Sequence, residues 1–250
     1  MISIIIATHN RVDEITNSLT LMKINNIFDN VKSRIILVFD GNILNELQYD
    51  KLLKNNPCGL PIIISQNREH IGQNKARNIG IEISKQDNPQ YICFLDDDAT
   101  IDKGYELRNI INIMDSSEKI VAIGLQSVIK QSGNDQYYSK YNKQKGIFPV
   151  EIICLAGAII KSNVVYKFDR FFFPENIFYG SDEWALVMRV RQLGYQTYAT
   201  NLCRVIHRLE SKGRNAKIRY NLQYAHSFMW TLLPKKILIV LIFRPASKSQ

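Results

Sequence analysis

Five short runs of β-branched and aliphatic residues punctuate the first 125 positions, at Ile2–Ala7, Arg34–Phe39, Pro61–Ser65, Tyr91–Leu95 and Ile120–Gly124. They are close to continuously apolar, so once extended each needs cover on both faces, the condition of a strand inside a parallel sheet. Between them lie segments with helical spacing, Val12–Ile27, Ile43–Leu53, Gly72–Ser84 and Tyr105–Met114. In the third, Ala76, Ile79, Gly80 and Ile83 share one face at i, i+3, i+4 and i+7. Apolar strands joined through helices predict an α/β chain with a Rossmann-like, mostly parallel open sheet flanked by helices.

After Gly124 the regularity breaks. Residues 131–149 are rich in Tyr, Lys, Gln, Asn and Gly and read as an exposed excursion. An apolar strand is expected over Ile152–Ile160, then an aromatic loop, then a helix over Asp182–Leu193 with Gly194 as its C-cap, then a strand over Tyr195–Ala199. Two further helical patterns, Ile218–Leu233 and Lys235–Phe243, are split by Pro234. The expected division is one α/β domain over residues 1–207, in halves 1–125 and 126–207, followed by a basic amphipathic helical tail over 208–250.

Charge sharpens that division. The chain carries 32 Lys+Arg against 23 Asp+Glu, a formal +9, and 46% of its residues are hydrophobic, which excludes a disordered chain. Residues 204–250 hold 10 of the basic side chains and only Glu210 as acid, so residues 1–203 are neutral. A tail of that kind meets something anionic. Leu232, Leu233 and the run Ile237–Phe243, flanked by Lys235, Lys236 and Arg244, suit a helix lying in the headgroup layer of an anionic membrane. A helix packed on the domain with a solvated basic face is the alternative. No nucleic-acid motif is present, and nucleic acid is not expected as a partner. The run Ile237–Phe243 has seven residues, far below the ~20 that a spanning helix needs. The opening MISIIIA reads as a buried strand rather than a signal peptide. Cys58, Cys93, Cys154 and Cys203 form no C-x-x-C and read as reduced, mostly buried thiols.

The stretch Tyr91-Ile92-Cys93-Phe94-Leu95-Asp96-Asp97-Asp98 carries the chemistry. An apolar strand runs into three carboxylates at its C-terminal end, the edge where open α/β sheets bind ligands. Alternation places Asp96 and Asp98 on one side and Asp97 on the other. Two adjacent carboxylates repel unless a cation joins them or one takes a proton. Oxygen ligands select a hard divalent ion, Mg²⁺ or Mn²⁺, which can neutralise a pyrophosphate leaving group. The alternative is that the run caps the following helix, although Thr100 and Asp102 are better placed to do so. Upstream, Gly72 opens a helix whose first turn presents unpaired N–H groups. Arg77 and Asn78 fall off its apolar face, where they either reach a ligand or are ordinary surface polarity.

Taken together, these segments resemble the family two glycosyltransferases, inverting enzymes with the GT-A fold, over residues 2 to about 207. Ser3 to Arg11 resembles the family's first strand and its Thr-x-Asn-Arg turn, and Val38-Phe39-Asp40-Gly41 its second-strand Asp-Gly. Gly72 to Asn78 is similar to the Gly-x-x-x-Ala-Arg-Asn helix, and Asp96-Asp97-Asp98 to the D-x-D motif. Ala156-Gly157-Ala158, Asp182-Glu183 and Val205-Ile206-His207 resemble the small-residue strand, the acidic pair of the acceptor-side helix and the late Val-x-His. The departures are His70 in place of the usual Asn, Phe39 in place of a second Asp, and Asp-Glu in place of Glu-Asp.

The resemblance implies that residues 1–125 bind the nucleotide sugar and 126–207 the acceptor. It implies nucleotide-sugar contacts from Thr8, Asn10, Arg11, Asp40, Gly72, Arg77, Asn78, Asp96 and Asp97. Asp96 and Asp98 would hold the Mg²⁺ or Mn²⁺, and His207 would either complete that shell or be a satisfied structural histidine. The spacing to Arg189 places Glu183 at the catalytic-base position, with Asp182 as cap or secondary contact. Gly157, Gly180 and Trp184 would face the acceptor, Trp184 by stacking on a sugar. The implied partners are a nucleotide-sugar donor and a glycan or lipid-linked acceptor, at the cytoplasmic face of the cell membrane. A nucleotidyltransferase is the competing enzyme, but Thr8-His9-Asn10-Arg11 lacks its Gly-rich phosphate loop. Against a degenerate nucleotide-sugar-binding protein stands the retention of Asp96, Asp98 and Glu183 together.

Overall fold

The computed structural model describes residues 1–29, 31–102, 104–131, 134–137, 145–168, 172–178 and 180–208. The expected tail over 208–250 lies outside the described residues from position 209 onward.

The alternating runs become strands β1 (Ile2–Thr8), β2 (Ser33–Phe39), β3 (Ile62–Gln66) and β4 (Tyr91–Asp96), joined by helices α1 (Val12–Ile24), α2 (Glu46–Leu53) and α3 (Gln73–Lys85). β1 pairs in parallel with β2 and β4, and β2 in parallel with β3. The two faces of these strands explain why their sequences are uninterrupted. Ile4 and Ile6 enter one core with Ile15 and Leu19 of α1, whereas Ile5 enters the opposite core with Ala76 and Ile81 of α3. Burial of each such side chain is worth about 1.5–3 kcal/mol, which outweighs weak local preferences at the element ends. α2 starts at Asn45, whose side chain accepts from the Gln48 N–H while Gln48 reaches back to the Asn45 N–H.

The second half is more mixed than an alternation of parallel strands predicts. β5 (Ala99–Ile101), helix α4 (Gly104–Asp115), β6 (Ile120–Gln131), β7 (Asn134–Tyr137), β8 (Ile147–Val150), β9 (Ala158–Lys161), a short α5 (Ser162–Val165), α6 (Asp182–Gln192) and β10 (Gln196–His207) follow in chain order. Among the described residues the sheet has ten strands, with main order β3-β2-β1-β4-β9-β6-β10-β5. β9 is antiparallel to both β4 and β6, β10 runs parallel to β6, and β5 is antiparallel to β10.

Three expectations change here. The excursion at 131–149 contains strand β7 and all but the last residue of β8, paired with β6 and β10. The strand expected over Ile152–Ile160 begins only at Ala158. Gly157 causes the delay: at φ +114° it is off strand geometry, and a Cβ there would sit 2.4 Å from Val205 Cγ2. The last strand, expected to stop at Ala199, runs to His207 through a register shift between Thr200 and Arg204. That extension matters most for function. Pairing with β5 places His207 opposite Ala99, one residue after the acidic run.

Candidate active site

Asp96 ends β4, and Asp97 and Asp98 form the turn into β5. His207 Nε2 lies 2.8 Å from Asp98 Oδ1 and 3.6 Å from Asp96 Oδ2. One ligand atom from each of Asp96, Asp98 and His207 falls within 4.8 Å of the others. Metal–oxygen bonds of about 2.1 Å bring ligands of one ion to roughly such spacings. Two carboxylate oxygens and an imidazole nitrogen form a hard-to-borderline donor set that Mg²⁺ or Mn²⁺ accepts. The residues therefore fit a divalent cation, and the geometry draws His207 into the group.

The remaining oxygen of each carboxylate is held from behind. Arg11 donates to Asp98 Oδ2 at 3.1 Å and to Asp97 Oδ1 at 2.6 Å. Arg77 donates to Asp96 Oδ1 at 2.8 Å. Burial opposes ionisation of Asp98, but hydrogen bonding and charge from His207 and Arg11 outweigh it and hold its carboxyl well below the usual range. Asp97 is turned inward, 7% exposed, and also accepts from Thr8 Oγ1 at 2.8 Å. Burial, reinforced by its acidic neighbours, pushes its carboxyl up to about 7 despite Arg11. Thr8 and Arg11 thus both bond the Asp97 carboxylate. Arg208 closes this corner: its N–H donates to the Asp98 carbonyl at 3.1 Å, and its side chain reaches Thr100 and Ser18.

The polar face of α3, where Arg77 and Asn78 are expected as ligand contacts, has internal partners. Asn78 donates to the Phe173 carbonyl at 2.9 Å and to Glu175 at 3.1 Å, and accepts from the Phe173 N–H at 3.0 Å. Asn74 donates to the carbonyls of Pro174, Ile177 and Gly180. Gln73 N–H donates to the Phe178 carbonyl, so Gly72, at φ +91°, holds the helix start so close to this loop that a Cβ would lie 2.6 Å from that oxygen. The helix face that periodicity leaves polar is therefore a clamp on the described parts of the segment before α6. Asn74 and Glu175 belong to it and drew no expectation from the sequence, because their partners lie about 100 positions away.

Arg77, 2% exposed, carries this clamp into the acidic site. One guanidinium nitrogen bonds Asp96 and the other bonds Asp182 at the start of α6. Asp182 is 5% exposed and pairs with Arg77 through one oxygen, while the other accepts from the Glu183 N–H at 3.2 Å. Ser181, the residue before α6, is in the left-handed region at φ +61° and makes no side-chain cap bond. Glu183 is half-buried, and its carboxylate has no hydrogen-bond or ion-pair partner among the described residues. The thiol of Cys154 is pushed up to about 12, by burial first and then by the charges of Glu183 and Asp96, which places all three in one neighbourhood.

The other expected contacts divide clearly. Trp184 is half-buried beside Glu183. Gly180, at φ +83°, gives its carbonyl to Asn74, and Gly157 is buried, its N–H bonded to the Phe94 carbonyl at 2.8 Å. Asn10 is exposed on the β1–α1 turn, with His9 Nε2 3.2 Å from its side chain. The Asp40 carboxylate is buried and accepts from His70 at 2.7 Å and from the N–H groups of Ile71 and Gly72. Asp40 thus organises the loop before α3, while the His70 ring stacks on His9 at 4.0 Å and meets Phe178 edge-on. This three-ring wall was not anticipated. The departure at His70 was the only sign of it.

A family model described as glycosyl transferase family 2 matches residues 3–190. Among curated proteins no sequence match is found. Among solved structures, GalNAc-T7 with UDP, GalNAc and Mn²⁺ superposes with a TM-score of 0.66 at 14% identity, covering 85% of this chain and 44% of that one. The mannosyltransferase PcManGT from Pyrobaculum calidifontis, in complex with GDP-Man and Mn²⁺, gives 0.60 at 13% identity over 85% and 58%. S. aureus TarS 1–349 in complex with UDP gives 0.59 at 17% identity over 82% and 60%. At these identities the likeness is one of fold, and the chain spans less than two thirds of each structure.

Proposed function

The chain belongs to glycosyl transferase family 2, and from that premise we propose that it moves a sugar from a nucleoside-diphosphate donor to an acceptor hydroxyl, with inversion at the anomeric carbon. The observation that carries this reading is the bridge made by Arg77. On one side stand Asp96, Asp98 and His207, a set able to hold a divalent cation, and on the other the start of α6, where the Glu183 carboxylate has no partner among the described residues. The similar structures hold UDP or GDP-Man, and two of them Mn²⁺, which supports a nucleotide-sugar donor and a manganese-type ion here.

A bound cation would supply positive charge to the diphosphate as it leaves. The residues of the chain do the rest. Arg11 and Arg77 fix the outer oxygens of Asp98 and Asp96, so that the inner ones face His207. Glu183 takes the proton of the acceptor hydroxyl as that oxygen bonds to the anomeric carbon. The bond from that carbon to the phosphate oxygen breaks, and the diphosphate departs with the electron pair. A single displacement needs one base, and the commitment of Asp182 to Arg77 supports assigning it to Glu183.

The acceptor we assign is a lipid-linked or growing surface glycan, reached from the inner face of the membrane with the basic tail against anionic lipid. No helix among the described residues is long and apolar enough to cross a membrane. The base assignment is tested with Glu183→Gln. Transfer should fall by about 10²–10⁴-fold while binding of the nucleoside diphosphate is retained. Unchanged turnover would remove Glu183 from the role.

A further inference from the structure

We propose that Arg77 is a positioning residue that holds a cation ligand and the base-bearing start of α6 in one rigid frame, so that breaking the bridge displaces both. The proposal rests on the cation and base assignments made above. Asp96 has two oxygens and two neighbours: Oδ1 meets Arg77 at 2.8 Å, and Oδ2 turns toward His207 at 3.6 Å. With Oδ1 occupied, Oδ2 is the oxygen left to face a cation, and its direction is set by the guanidinium. The second nitrogen holds Asp182, the residue directly before the proposed base.

The guanidinium itself has little freedom. It is 2% exposed and lies 5.9 Å from the Phe173 ring centroid. Turned to present its oxygen, the Gln73 amide accepts from both terminal nitrogens. Arg77 grows from a helix packed into the core through Ala76 and Ile81. Only a planar fork can bond two carboxylates at fixed relative positions; a lysine ammonium is a point charge on a flexible stem.

Two variants of the full chain test this without altering the net charge near Asp96. Arg77→Lys keeps the cation but loses the fork. Arg77→Met combined with Asp182→Leu removes one charge of each sign and fills the space with apolar groups, the kind of exchange that buried pairs tolerate. Mn²⁺ affinity is read by electron paramagnetic resonance of the free ion, folding by thermal unfolding, and turnover as separate kcat and acceptor KM. The expected result is cooperative unfolding in at least the double variant, Mn²⁺ binding weakened about tenfold or more, and kcat lowered by a similar factor or more. A purely structural role would lower the unfolding temperature and leave Mn²⁺ affinity at the wild-type value. Folded variants that bind Mn²⁺ and turn over like wild type overturn the proposal, as does failure of both to fold. A wild-type chain that binds no Mn²⁺ refutes the cation assignment and removes this proposal with it.

Discussion

Asn78 offers the clearest separation between a residue that builds the site and one that touches a ligand. Replacement by alanine deletes its bonds to the Phe173 carbonyl, the Phe173 N–H and the Glu175 carboxylate. Phe173 is fully buried and Asn78 is 3% exposed, so water has poor access to the groups left behind. A neutral hydrogen bond contributes about 1 kcal/mol, one to a charged group about 1.5–3, and an abandoned buried donor or acceptor costs about 1–3. These contributions overlap, and together they place the loss at about 3–4 kcal/mol. For a chain of this size that lowers the midpoint of thermal unfolding by roughly 10 °C. Urea unfolding followed by circular dichroism measures the stability loss, and calorimetric titration with UDP and Mn²⁺ at a temperature where the variant is folded measures nucleotide affinity. The expected pair of results is the full stability loss with nucleotide affinity within about twofold of wild type. Destabilisation below about 1 kcal/mol together with lost nucleotide binding would refute the reasoning and return Asn78 to the ligand.

Two further outcomes follow from the same geometry. His207→Ala removes the only nitrogen ligand of the proposed cation group, and Mn²⁺ affinity measured by titration should fall about tenfold or more; an unchanged affinity would make His207 a structural partner of Asp98 alone. Full-length protein should sediment with anionic vesicles at low salt and release as ionic strength rises, while a chain ending at residue 215 should not sediment; full-length protein that ignores the vesicles removes the membrane assignment.

The fold was legible where one physical demand dominated. β1, β2 and β4 are buried on both faces, so their apolar runs are uninterrupted and their ends fall within a residue or two of expectation. β7, with the sequence Asn-Asp-Gln-Tyr, carries no apolar run to mark it, and among the described residues it pairs with β6 alone. β10 is obscured by its register shift, which breaks any simple alternation before His207. The carboxylates of the site were legible because a strand end carrying three of them has few uses. The roles of Arg77, Asn78 and Asp40 were not. Helical spacing identifies which residues leave the apolar face but not what covers them, and here Phe173, Glu175 and Asp182 supply partners. Asp40 shows the same limit at a strand end, since its carboxylate is used by the backbone of residues 71 and 72.

The central claim is that Asp96, Asp98 and His207 hold a divalent cation that joins a nucleoside diphosphate to this chain. Calorimetric titration with UDP and GDP, each with and without Mn²⁺, tests it most directly, with Asp98→Asn as the control. The account predicts binding of at least one diphosphate that strengthens markedly when Mn²⁺ is added and loses that enhancement in the variant. Binding that is indifferent to Mn²⁺, or no binding of either nucleotide under any condition, would contradict it.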